Sequence, residues 1–563
     1  MTRRLLTLVA ASALVAATAT TAAHARGRTR SASVCAVSCF AAPAGSGALF
    51  MFSGHGWGHG VGMSQYGAYG YAQHGWTSRQ ILAHYYPGTA PGTLPGVAIR
   101  VLLADKKKTL TISSTVPWTV KDGAGRTHTL AAGAVTLDTG LSLLVDGQAV
   151  PQPLAPPLTF GPGPGAPLTL GRSYRGSIQV DLVDGKLRAV NVVGLEQYLY
   201  GVVPAEMPSA WAPEALKAQA IAARSYALAT RLVGAPFDEY ADSRSQMYLG
   251  LSVETPATTA AVDATRHQVL LFAGKVATTY FFSSSGGETA SIADAWGVAP
   301  LPYLVSVADP YDAISPYHDW GPVPVTAKTI AKTLKVSGAV VAASTTLNGS
   351  GRVSALDLLT QTPVSTVPTD TTVPAGKVQA ALGLRSTWFD VGILSLVAPA
   401  PSTPIAYGSS IALTGLVRGV DGVTLEQRAS AGSWQSIGPI LPAADGTLQL
   451  TEQPTITTDY RLATHAAAAA YVRVKVTPVV TLAAAPTAGT VAGAEQPILA
   501  GAPVQVQQQG LDLTWTTVAT GTVGPDGSFS VPAPLTPGST YRAVVAPGHG
   551  YSPGATTPSI AAG

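Results

Sequence analysis

Between Val97 and Val193 the chain gives a helix little to work with. The runs VAIRVLLA, TLTIS, WTVKD and SIQVDLVDGKLRAVNVV are apolar and β-branched, or alternate apolar with polar, and Asp-Gly and Gly-Pro pairs break them up. Such punctuation predicts short strands joined by tight turns, hence a strand-rich half. A long helical pattern follows at 212–231, APEALKAQAIAARSYALATR. Pro213 suits a first helical turn and Glu214 suits its dipole. At 100° per residue Leu216, Ala220, Ala223 and Ala227 share one narrow stripe, small enough for another element to pack closely. Lys217 and Arg224 border it on one side, Gln219 and Tyr226 on the other. Flanking polar groups either line a cleft or simply face solvent.

The ends of the chain read differently. Arg3 and Arg4, an apolar run over 5–17 and Ala23-His24-Ala25 match a secretory signal peptide over 1–25, and 26–49 reads as a flexible lead-in. Cys35 and Cys39 are the only cysteines, and a bridge so short would constrain little. No later run is apolar for long enough to span a bilayer, so no membrane association is expected after signal cleavage. Charged residues are 11% of the chain and the net charge is +4. That suits an anionic envelope polymer and is too diffuse for nucleic acid. The stretch APAPSTP marks a linker near 396–404. Beyond it, 396–478 and 479–563 read as two small sandwich-like all-β modules, diverged copies of each other, each with a Trp-centred strand and an Asp-Gly turn.

The segment FSGHGWGHGVGMSQYGAYG, Phe52 to Gly70, carries seven glycines in nineteen residues. Each glycine costs a helix about 1 kcal/mol against alanine, so the expectation here is a loop. Loops on a scaffold are where binding residues concentrate. Just after it, Thr77 and Gln80 form a capping box, and Pro87-Gly88 ends the short helix they begin.

Glu206 stands between Pro204 and Pro208, beside Val202, Val203 and Met207. In apolar surroundings a carboxylic acid holds its proton to higher pH and can protonate a departing glycosidic oxygen. Taken alone, a glutamate of this kind more often sits solvated in a loop.

The longer context bears on that choice. YLYGVVPAEMPSAWAPEALKAQAIAARSYAL resembles the signature of the SpoIID proteins and the related LytB amidase enhancers. SQMYLG, SSSGGET, AWG and PYLVSVADPYD follow in the order that family shows, and the glycine-rich segment is similar to the one that usually closes its domain. The resemblance covers about residues 50–395 and implies an α+β domain: the glycine-rich segment at 50–90, the strand-rich half at 97–193 and a catalytic half with a cleft-lining helix at 194–395. Here the glycine segment comes first, a permutation tolerated when domain ends lie close together. It should therefore pack against the Glu206 region.

By that resemblance the chain is a secreted lytic transglycosylase acting on peptidoglycan glycan strands stripped of stem peptides. One carboxyl serves as acid and then base while the sugar's own C6 hydroxyl closes a 1,6-anhydro ring, so no second carboxylate is needed. Glu206 is the expected catalytic residue. Lys217, Arg224, Tyr226, His59, Ser64, Gln65, Ser285, Gly286 and Gly287 are the expected substrate-binding residues, with Trp57 and Tyr66 stacking on sugar faces. His55 is expected to stabilise the loop. Ser285-Gly286-Gly287 lacks the frame of a serine nucleophile elbow. Some relatives carry Cys and His in regions where this chain has Tyr240, Ser245, Phe282 and Ser285, so neither metal nor cofactor is expected. The alternative is a non-catalytic glycan-binding protein that recruits a cell-wall amidase.

Overall fold

In the computed structural model, which describes residues 47–362, 367–397, 403–429, 432–483, 489–548 and 550–560, the punctuated stretch forms two packed sheets. A seven-stranded sheet runs in the order Glu239–Tyr240, Ala98–Lys107, Lys186–Gly194, Ser177–Val183, Leu158–Gly161, Trp118–Lys121, Thr127–Leu130. Trp118, Leu158, Phe160, Ile178 and Val180 fill the space between it and a four-stranded sheet containing Leu110–Ser114 and Leu168–Leu170. Asp184 and Gly185, both at positive φ, make the two-residue turn that sets the register Val183 against Lys186. The signal peptide, most of the lead-in and both cysteines lie outside the described residues. Among the described residues no helix is long and apolar enough to cross a membrane.

Four helices position the site: α1 (Gln65–Gln73), α2 (Ser78–Tyr85), α3 (Leu195–Glu206) and α4 (Pro213–Thr230). The capping box opens α2, with Thr77 and Gln80 bonded reciprocally. α4 is buried nearly all round. Ala220, Ala223 and Ala227 pack on Tyr198, Leu199, Val202 and Val203 of α3, while Leu216 and Ala218 join Tyr71 of α1 and Ile81, Leu82 and Tyr85 of α2.

α1 corrects the expectation of a loop through Phe52–Gly70. Intrinsic propensity loses here to packing: a Cβ on Gly67 would collide with Tyr85 and the Asp309 carboxylate, and one on Gly70 with the Tyr311 backbone. These two glycines let the turn Pro310–Ile314 lie directly on the helix. The segment before α1 is irregular over 56–62, preceded by a strand.

That strand, β1 (Leu49–His55), lies centrally between β2 (Asp319–Thr326) and β3 (Phe389–Val397), antiparallel to both. Phe50, Phe52, Ile330, Leu356, Val378 and Phe389 make a core of their own here. The expected 194–395 half is therefore divided: residues 319–397, with β1, form a separate α/β unit. The expected boundary at 396 does not interrupt the sheet either. β3 pairs with β4 (Ile411–Arg418), which pairs with β5 (Thr447–Glu452), because Leu394 and Leu396 are buried against Leu413, Val417 and Leu448.

The two C-terminal modules share one pairing scheme. β4 pairs with β5 as Thr490–Gln496 pairs with Ser528–Pro532, and Val479–Leu482 pairs with Thr490–Gln496 as β3 pairs with β4. Thr424–Ala429 lies between Gln435–Pro439 and Thr458–Ala463, as Pro503–Gln509 lies between Trp515–Thr522 and Thr540–Val545. Arg461 covers Trp434 in the first as Arg542 covers Trp515 in the second. The first module thus takes one of its strands from the preceding unit.

Candidate functional site

Glu206 is the last residue of α3, where the chain turns to extended backbone at Met207. Its Oε1 accepts the Met247 N–H at 2.8 Å, and its Oε2 lies 3.5 Å from Gln65 Nε2, at the outer limit for a hydrogen bond. Burial pushes the carboxyl above its ordinary range, and the two donors pull it partly back. Desolvation is the largest contribution to that rise. Gln65 begins α1, which places the glycine-rich segment against Glu206 despite 141 residues of separation.

The residue before it, Ser64, is wholly buried. Its Oγ accepts the Gly67 N–H as the N-cap of α1 and donates to Asp312 Oδ1 at 2.7 Å. The expectation that Ser64 meets sugar is thereby corrected: it fixes Gln65 from beneath.

Asp312 is the hub of this support. It also accepts from Ser284 Oγ at 2.7 Å and from the N–H groups of Ser285 and Gly286 at 3.0 and 2.9 Å, and it lies 3.2 Å from His318 Nδ1. Asp309 accepts from Ser285 Oγ at 2.8 Å, and that same oxygen accepts the Gly287 N–H at 3.1 Å. Burial, then the Asp312 charge, drives the Asp309 carboxyl up to about 7. Ser285 and Gly286 are buried and Gly287 is half-buried, so the SSSGGET segment binds internal carboxylates where sugar contacts were expected.

Three further expected residues have partners within the protein. Arg224 is 1% exposed and forms a two-pronged pair with Glu196, because the segments carrying Val262 and Gln268 cover its part of α4. Lys217 reaches Glu214 at 2.7 Å, and Glu214 in turn accepts the first N–H of α2, Ser78. That ties two helices together. His59 accepts the Val61 N–H and sits among the rings of Tyr280, Phe282 and Trp296. Burial lowers it to about 4, so it is neutral at physiological pH. His55, on β1, bonds Asp319 of β2 at 2.6 Å.

Tyr226 packs against the rings of Tyr280 and Phe281. Burial raises its hydroxyl to about 12, and the charges of Glu239, Tyr280 and Glu206 add to that. Glu239 belongs to no motif in the sequence. It is 1% exposed, accepts from Thr230 Oγ1 at 3.2 Å, and is raised to about 7 by burial. Its only sequence signal was a carboxylate between Phe237 and Tyr240.

Beside Gln65 an aromatic wall opens to solvent. Tyr66 meets Trp211 at 4.8 Å between ring centroids, Trp211 stacks on Tyr69 at 4.6 Å, Tyr66 lies 6.1 Å from Tyr317, and Tyr317 lies 4.5 Å from Trp57. Trp57 is 41% exposed. Rings exposed in this way can stack on pyranose faces. Among the described residues no three His, Cys, Asp or Glu side chains are grouped to hold a metal.

Residues 183–272, which hold α3, α4, Glu239 and Met247, match the family model described as stage II sporulation protein, SpoIID. The chain carries a SpoIID-family domain. It is 36% identical over 148 residues to Stage II sporulation protein D of Bacillus subtilis, covering 23% of this chain and 43% of that protein. An uncharacterized protein of Brachyspira hyodysenteriae is 40% identical over 140 residues, 24% of this chain and 38% of its own. The Amidase enhancer of Bacillus subtilis is 37% identical over 115 residues, 20% of this chain and 15% of its own. The chain thus spans less than half the length of each of these relatives. Among solved structures, a biofilm associated protein BSP domain aligns over 44% of this chain and 53% of its own, at 10% identity and a TM-score of 0.13. The SpoIID-family match contains Glu206 and Tyr226; Gln65, Trp57 and Tyr317 reach the site from outside it.

Proposed function

We propose that this chain is a secreted cell-wall protein that cleaves peptidoglycan glycan strands as a lytic transglycosylase, with Glu206 as the catalytic residue. The observation that supports this best is the raised, half-buried carboxyl of Glu206, whose partner Gln65 adjoins Tyr66 of the aromatic wall. Protonated Glu206 gives its proton to the oxygen between C1 of MurNAc and the next sugar as that bond breaks. The C6 hydroxyl of the same MurNAc attacks C1, and the Glu206 carboxylate takes the hydroxyl proton. The bond lost at C1 is replaced within the sugar, the acid is regenerated, and no water is consumed. Tyr66 and Trp211 stack on the sugars, and Gln65 holds the carboxyl and an N-acetyl or hydroxyl group of the strand.

A second reading, a glycan-binding protein that recruits a cell-wall amidase, is favoured by the likeness to a protein named Amidase enhancer. Mass spectrometry of the soluble products from amidase-stripped glycan separates the two. Anhydro-MurNAc ends released by the wild type and absent with Glu206→Gln are expected of the enzyme. Retained glycan binding with no products supports the recruiter, and reducing ends point to hydrolysis instead.

A further inference from the structure

Arg385 closes the far end of the aromatic wall. It follows the helix Ala375–Leu382 in the unit built on β1, and its carbonyl accepts the Gly58 N–H at 3.0 Å and Gln379 Nε2 at 3.1 Å. The backbone is thus pinned to the glycine-rich segment. Its guanidinium carbon lies 4.9 Å from the Trp57 ring centre and 4.7 Å from that of Tyr317. Among the described residues this side chain makes no hydrogen bond and no ion pair. An arginine held between two rings keeps its charge and its planar fork of donors while giving up little further freedom on binding. A pyranose on Trp57 or Tyr317 would bring its substituents to that fork.

We propose that Arg385 recognises a carboxylate carried on the glycan itself, the lactyl group of MurNAc. Removal of a stem peptide cleaves the amide at this group and leaves a carboxylate. On an intact strand the same carbon is a neutral amide that cannot accept a charge-assisted, two-pronged bond. The residue therefore selects stripped strands, and it does so from a part of the chain outside the SpoIID-family match. The assignment rests on the glycan reading of the Glu206 site.

The test measures binding by full-length Glu206→Gln protein, which does not consume its ligand, with and without Arg385→Gln. Three probes are compared: amidase-stripped strands, the same strands with their carboxylates converted to methylamides by carbodiimide, and intact strands. Stripped strands should bind about tenfold more tightly than methylamidated ones, and Arg385→Gln should abolish that difference. The variant's unchanged affinity for methylamidated strands reports that it is folded. Equal affinity for stripped and methylamidated strands before Arg385 is changed overturns this assignment while leaving the glycan reading standing. Absence of binding to all three overturns both. Tighter Arg385-dependent binding of intact strands would assign the arginine to peptide carboxylates and overturn the lactyl reading.

Discussion

Arg224 and Glu196 join α4 to α3 through two parallel hydrogen bonds, Nε to Oε1 at 3.0 Å and Nη2 to Oε2 at 2.7 Å. Glu196 also accepts the His267 N–H, and Arg224 also donates to the carbonyls of Ala220, Val262 and Gln268. With the side chains 1% and 8% exposed, neither partner has water to fall back on. Arg224→Met should leave a buried carboxylate without its arginine and cost about 3–5 kcal/mol. Combining it with Glu196→Gln should recover much of that loss. Urea unfolding of the two single variants and the double one reads the coupling; strictly additive losses would mean that the pair does not act as a unit.

Gly70 offers a test in which the sign itself is informative. On an exposed helix, glycine to alanine stabilises by about 1 kcal/mol. On α1 the added methyl would run into the Tyr311 backbone, so Gly70→Ala should destabilise by roughly 1–3 kcal/mol. It should also weaken glycan binding, because Gln65 and Tyr66 ride on the same helix. A rise in the unfolding midpoint would show that α1 is not docked on Pro310–Ile314.

These two sites mark where local reading succeeds and stops. Helix α4, the Thr77 capping box and the Asp184-Gly185 hairpin depend on neighbours within a few residues, and their patterns were legible. The repeat of the C-terminal modules was legible for the same reason. α1 was not, since its glycines serve contacts with Asp309 and Tyr311, more than 200 residues away. Arg224 read as a cleft residue because helical phase places a side chain on a flank without saying what covers that flank. Asp309 and Asp312 carried no spacing signal at all: their partners Ser64, Ser284 and Ser285 come from two other segments. Glu206 lay between these cases. Its apolar neighbours were visible in sequence, while its donors, Gln65 and Met247, are supplied by the fold.

Asp309 predicts a pH dependence of stability. Its carboxyl moves from 3.8 to about 7 on folding, so the folded state holds a proton that the unfolded chain releases. The sign follows: stability from this group is intact below the unfolded value and is lost as pH rises through the folded one. Asp309→Asn keeps an oxygen for Ser285 and removes that slope. Relative to wild type, it should gain on the order of 2–4 kcal/mol between about pH 4 and a pH above 7. Glu239 and His59 titrate in both proteins, so the difference between their melting profiles isolates Asp309. A constant offset across this window would mean that Asp309 is ionised throughout.

Gln65 and Glu206 give the prediction closest to chemistry. Burial favours the protonated acid that cleavage needs, and the rate should fall as pH rises through the raised value of Glu206. Gln65 Nε2 opposes that effect slightly by donating toward the carboxylate. Gln65→Leu removes the donor and adds apolar surface, so the alkaline limb of the cleavage profile should move to higher pH. Glu206→Gln should cut cleavage by about 10²–10⁴-fold while strands still bind, since its amide keeps an oxygen for Met247 N–H. A limb that stays in place in Gln65→Leu would mean that another group sets it, and Glu239, raised to about 7, is the one to substitute next.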